Sequence, residues 1–386
     1  MRYEISDWMR SEQARREALF TDLFAGRPVE HLPLEIRARD DEFSVRRHFF
    51  GENEEWLSDS LRAVELTWAM RGHTDAIPAF CADVGCGCLA NAFGAAYAFL
   101  GSEQQTPGVA GRVITDLEAQ IGGLTAPDPA RAPWVAEGLR RMRRFAELGR
   151  GFTPQSGLDA AGGLNAAADL TGLSELLTAM LEAPEAVHRL LALVQETYLA
   201  LIALEAENCG GLSQMTTTDF YLGWSPPGFK GHCSDDVSAM ISPALYREFS
   251  APYHAEVYRR YGPGGLHNCG PNPCAAAYMA GPDSPVYLDL NEVYSRADLP
   301  ALREAVRGRG FLRWGSDETD PARIAADYGK FMELLAPDVV LVPTYTVRRP
   351  EDGAALYDAL LPIAREWARR TEFRPFPRGE ENERGQ

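Results

Sequence analysis

"SPALYREFSAPYHAEVYRRYGPGGLHNCG", residues 242–270, contains one complete passage from helix to strand. Ser242 is a natural N-cap, Pro243 suits a first turn, and Gly262 ends the helix that the pattern predicts over 243–261. "GGLHN" (264–268) then reads as a short buried strand with His267 and Cys269 at its carboxyl end. Working outward, the same alternation recurs. "TDPARIAADYGKFMELL" opens a helix with Asp320 as cap and Pro321 behind it. Further strands are predicted at 32–37, 76–84, near 156–163, and at 211–221, 285–290, 310–315 and 338–343. Helical patterns fill 54–72, 132–148, 184–208, 297–307, 320–335 and 352–371. Eight strands alternating with helices call for parallel pairing, and an α/β fold closed as a (β/α)8 TIM barrel satisfies this most economically. A doubly wound sheet competes, but no G-x-G-x-x-G follows a strand. The expected division is a helical extension over 1–30, the barrel over 31–372 and a charged tail over 373–386.

Composition narrows the function classes. The 386 residues are 45% hydrophobic and 24% charged, the balance of a soluble globular protein. A formal charge of -17 repels phosphate backbones and anionic lipid, so neither nucleic acid nor membrane is an expected partner. The polar start lacks an apolar core like that of a signal peptide, and no run approaches about 18 uninterrupted apolar residues. Seven cysteines form an odd, scattered set, as expected of free thiols in a reducing cytoplasm.

Active sites of such barrels lie in the loops at the carboxyl ends of the strands. "HNCG", "DLNE", "SDE" and "TYT" all fall there. An imidazole and a thiolate two residues apart suit Zn²⁺, which favours N and S donors, so His267 and Cys269 are the candidate metal ligands. The same pair also fits a turn whose histidine is merely hydrogen-bonded. Asp235 and Asp236 could bind a cation, orient a substrate or share a proton, or simply cap a helical turn. Asp83, at a strand end before a Gly-rich turn, is a candidate acid facing the barrel mouth or a helix cap. Lys230, Trp224, Asn291 and Asp317 are candidates for substrate binding, although lone basic groups are mostly solvated and aromatics mostly core.

The chain resembles the superfamily of uroporphyrinogen decarboxylase and the methylcobamide:coenzyme M methyltransferases over about residues 55–370. The resemblance rests on "DAIPAFCADVGCGCLANAFGA", on "LNAAADLTGLSELLTAMLEAPEAVHRLLALVQETY", and above all on "SDDVSAMISPALYREFSAPYHAEVYRRYGPGGLHNCG". It implies a (β/α)8 barrel. In the methyltransferase branch it implies zinc on His267 and Cys269, which activates the thiol that accepts the methyl group. A corrinoid, carried by a partner protein, serves as methyl donor or acceptor, and a homodimer is permitted. That branch takes its third ligand from a cysteine after the last strand, where this chain has Tyr345. Tyr345 is therefore a candidate for the site, and the departure puts the third ligand in question. In the decarboxylase branch Asp83 stands roughly at the catalytic aspartate, but "PLEIRARDDEF" lacks the branch's R-Q-A-G-R arginines. Three functions are expected: a zinc-dependent methyltransferase; a metal-free decarboxylase or lyase using Asp83 and Arg37 on a carboxylated, tetrapyrrole-like substrate; or a non-catalytic carrier of corrinoid or tetrapyrrole.

Overall fold

A computed structural model describes residues 3–39, 44–50, 54–99 and 106–372; the tail expected over 373–386 lies outside them. Among the described residues the strands are β1 (Glu35–Ala38), β2 (Ala96–Ala98), β3 (Gly108–Ala110), β4 (His232–Ser234), β5 (Gly265–Asn268), β6 (Tyr287–Asn291), β7 (Phe311–Ser316) and β8 (Leu341–Val347). Six of them make one parallel sheet in the order β1-β8-β7-β6-β5-β4, while β2 and β3 pair antiparallel in a separate ribbon. The fold is thus α/β around a parallel sheet, with helices between its strands.

Three expected strands, at 76–84, 156–163 and 211–221, do not form as ladders. They survive as extended chain joined by two isolated parallel bridges, Phe80 to Gln155 and Gln155 to Met215. Single backbone hydrogen bonds continue this edge in both directions, from Asp75 N–H to Leu34 C=O and from Thr218 N–H to Lys230 C=O, each 2.9 Å. The ladders fail for a local reason. Pro78 and Pro154 have no N–H to donate, and side chains take several of the remaining partners. Thr74 Oγ1 accepts from Ile36 N–H, Ser60 Oγ from Cys81 N–H and Thr218 Oγ1 from His232 N–H.

The helices follow the sequence pattern closely, with one break. The helix expected over 243–261 is two, Pro243–Phe249 and Ala251–Tyr261, because Pro252 cannot donate back into the first. Ser242 caps the first helix as expected, its hydroxyl accepting from Leu245 N–H at 3.3 Å. Helix Pro184–Cys209 has 26 residues, and an 18-residue stretch within it has a mean hydropathy of 1.4, long and apolar enough by composition to cross a membrane. Here it packs into the molecule, burying Val187, Leu190, Val194, Tyr198 and even Glu205.

The first helix, α1 (Asp7–Phe24), covers one end of the sheet. Phe24 packs edge-on against Phe229, Tyr287 and Phe311 at 5.1–5.8 Å between ring centroids. Tyr287 and Phe311 are the first residues of β6 and β7, so α1 closes the amino ends of the strands. Only the carboxyl ends are left for a site.

Candidate metal centre

Parallel register lines up His267, Asp289 and Arg313 on neighbouring strands β5, β6 and β7. His267 Nδ1 lies 2.7 Å from Asp289 Oδ2, so the carboxylate holds Nδ1–H and directs Nε2 the other way. Nε2 lies 3.3 Å from Cys269 Sγ and 3.9 Å from Asp236 Oδ1. Asp236 comes from the turn after β4, and its Oδ1 accepts from Cys269 N–H at 2.9 Å. One donor atom each from Asp236, His267 and Cys269 lies within 4.8 Å of the other two, and no other such trio occurs among the described residues. A tetrahedral zinc about 2.0–2.3 Å from its ligands needs donors about 3.3–3.8 Å apart. The N, S and O donors found here fit that demand with small adjustment.

Electrostatics marks the same spot. Burial opposes charge on His267, but Asp289, Cys269 and Asp236 outweigh it and raise its pKa well above the ordinary value. Burial likewise opposes ionisation of Asp289, yet His267, with help from His232 and Arg313, holds its pKa below the usual range. Two further carboxyls feel His267. Burial, then the charge of Asp219, pushes Asp159 up to about 7, and burial pushes Asp219 up to about 6. Neither was singled out in the sequence. The available signal was an aspartate at the end of each extended segment, the logic that picked out Asp83.

The other candidates scatter. Asp235 is fully buried beneath the triad, capping the turn that carries Asp236, and burial raises its pKa to about 7. Asp83 accepts from Gly85 N–H at 2.8 Å and lines a cavity of about 510 Å³ together with Arg37, Arg39, Arg62, His48 and Thr346. Asn291 caps the turn after β6 through Val293 N–H, and Asp317 is exposed after β7. Three placements correct the sequence reading. Tyr345 is buried among the charges of Glu292, Asp327 and Arg296, on the strand face opposite Thr346, and is absent from the donor trio. Strand alternation alone sends it toward the helices. Lys230 and Trp224 lie at the closed end instead of the mouth. Lys230 Nζ donates to Met215 C=O at 2.6 Å and sits 5.1 Å from the Trp224 ring, while Trp224 packs on Phe20 of α1. Both serve packing there.

This arrangement, a parallel α/β sheet with one end covered and a His-Cys-Asp trio at the other, puts the trio at the carboxyl ends of the strands, where parallel α/β folds carry their sites. No family model and no curated protein matches the sequence. Among solved structures the chain is similar to a methyltransferase from Methanosarcina mazei, with a TM-score of 0.61 and 18% identity, over 89% of this chain and 96% of that one. The two share a fold.

Proposed function

We propose that the protein is a zinc-dependent methyltransferase that moves a methyl group between a corrinoid and a thiol-like acceptor. The carrying observation is the convergence of Asp236, His267 and Cys269 at the open end of the sheet. His267 and Cys269 would hold the metal, and Asp236 would supply the donor that the resembling methyltransferases take from a cysteine after the last strand. One neutral imidazole, one thiolate and one carboxylate balance Zn²⁺ to zero net charge, as a second thiolate would. When bound, the metal supplies Lewis acidity that lowers the pKa of an acceptor thiol.

The chain's own groups do the rest. Asp289 fixes the His267 tautomer and ring orientation. Asp159 and Asp219, titrating near neutrality, can take up the proton that the acceptor loses. The hydrogen bonds from Asp75 to Leu34 and from Thr218 to Lys230 support closure of the sheet as a (β/α)8 barrel over 31–372, with α1 as a helical extension. A corrinoid protein as partner, a homodimer and a cytoplasmic location complete the proposal. The test is methyl transfer from methylcobalamin to a small thiol. Turnover by the wild type that is lost in Cys269→Ala supports the proposal; turnover unchanged in that variant refutes it.

A second reading has its own observation, the cavity that joins Asp83 to Arg37, Arg39 and Arg62. Arginines beside an acid could stabilise the charge that develops as a carboxylated substrate loses CO₂. Decarboxylation that survives chelation and is lost in Asp83→Asn would favour it over methyl transfer.

A further inference from the structure

Asp236 stands in the turn after β4 and the His267–Cys269 pair at the end of β5, and donors on separate elements bind a metal weakly unless something fixes the distance between them. A hydrogen-bonded frame does so on two flanks. On the inner flank is Asn268, the residue between the two β5 donors, with its side chain turned away from them and 1% exposed. Its Nδ2 reaches Tyr278 OH at 2.8 Å, Ser238 Oγ at 3.2 Å and Pro271 C=O at 3.3 Å, and its Oδ1 accepts from Gly270 N–H at 2.8 Å. Ser238, in the turn that carries Asp236, donates to Asp235 C=O and lies 2.8 Å from Tyr278 OH. The loop after β5 and the turn after β4 are thus bolted to one tyrosine hydroxyl. On the outer flank Asn165 donates to Asp236 Oδ2 at 3.3 Å and accepts from Val237 N–H at 3.2 Å. Both oxygens of Asp236 are therefore held, one by Asn165 and one by Cys269 N–H.

We infer that Asn268, Tyr278 and Asn165 are positioning residues that set the donor geometry, and so the metal affinity, of the Asp236–His267–Cys269 centre. None of the three belongs to the donor trio. The inference rests on the metal-centre reading above. Groups placed this way are worth about 10–100-fold in metal affinity. A role confined to folding would lower the melting temperature and leave the centre's affinity and geometry as they are.

Cobalt(II) separates the two roles, because its visible absorption reports ligand geometry without any turnover. Wild type, Tyr278→Phe and Asn165→Ala are loaded with Co²⁺, their spectra recorded, and their affinities measured by competition with a chelator, with circular dichroism as the check on folding. Tyr278→Phe removes one buried hydroxyl; Asn165 is only half-buried, so truncating it spares the core and keeps the test decisive if Tyr278→Phe fails to fold. The expected result is an affinity about 10–100-fold weaker with a changed cobalt spectrum in a folded variant. Wild-type affinity and spectrum in folded variants would overturn the inference while leaving the metal centre standing. Failure of the wild type itself to bind Co²⁺ or Zn²⁺ would overturn the metal centre, and the inference with it.

Discussion

The closed and open ends of the sheet both bury polar groups, and they use them differently. At the closed end Lys230 is capped by backbone carbonyls and an indole face, in surroundings supplied by α1. Lys230 Nζ there donates to Met215 C=O and Thr216 C=O. At the open end His267 Nε2, Cys269 Sγ and Asp236 Oδ1 converge on one another while Asp289 holds His267 Nδ1 and Asn165 holds Asp236 Oδ2. Depth of burial therefore does not mark the functional end. What marks it is a set of donor atoms whose supporting partners lie behind them.

That contrast can be broken from either side. The largest effect on stability is expected at the closed end. Phe24→Ala removes a fully buried ring from the contact with Phe229, Tyr287 and Phe311 and should cost about 3–5 kcal/mol in denaturant unfolding. Metal content of the folded fraction should stay as in the wild type. If Phe24→Ala also emptied the metal centre, the two ends would not be independent.

Next is Asp289→Asn at the open end. It frees the His267 ring from its carboxylate, and zinc affinity measured by chelator competition should fall about 10–100-fold. Global stability should change far less than in Phe24→Ala. An unaltered affinity would mean that some other group fixes the imidazole.

The third effect, comparable in size at most, is a pH dependence at the closed end. Burial lowers the Lys230 pKa from 10.5 to about 7, so between those values the unfolded chain binds a proton that the folded chain does not. Stability credited to this group is then present above pH 10.5 and lost as pH falls to about 7. Raising the pH from 7 to 9 should stabilise the wild type relative to Lys230→Met, by up to about 1.4 kcal/mol per pH unit. Parallel pH profiles for the two proteins would show that Lys230 keeps its proton when buried.

Much of this was legible in the sequence, and the failures have causes. Caps such as Ser242 and Asp320 work locally, so the helices they begin appear where the pattern puts them. The strands after residue 260 have no internal proline until Pro343, and they form the ladder. The earlier segments hold prolines and threonines that compete for backbone partners, which no apolar pattern reveals. Among the site residues, His267 and Cys269 were legible because two-residue spacing places both on one strand face. Asp236 was found only as half of a pair, since which aspartate faces out depends on the cap made by the other. Tyr345 was placed by resemblance, and the pleat of β8 turns it toward the helices. Lys230 is a candidate in the sequence because its loop precedes the aspartate pair, and Trp224 because it lies near a strand end; that loop leads into β4, at the covered end.

The central claim is that Asp236, and not Tyr345 of β8, completes the donor set begun by His267 and Cys269. Elemental analysis of zinc, after the protein is loaded and freed of excess metal, tests it in the wild type, Asp236→Ala and Tyr345→Phe. The account predicts one zinc per chain in the wild type and in Tyr345→Phe, and little or none in Asp236→Ala. Zinc retained by Asp236→Ala and lost from Tyr345→Phe would contradict it.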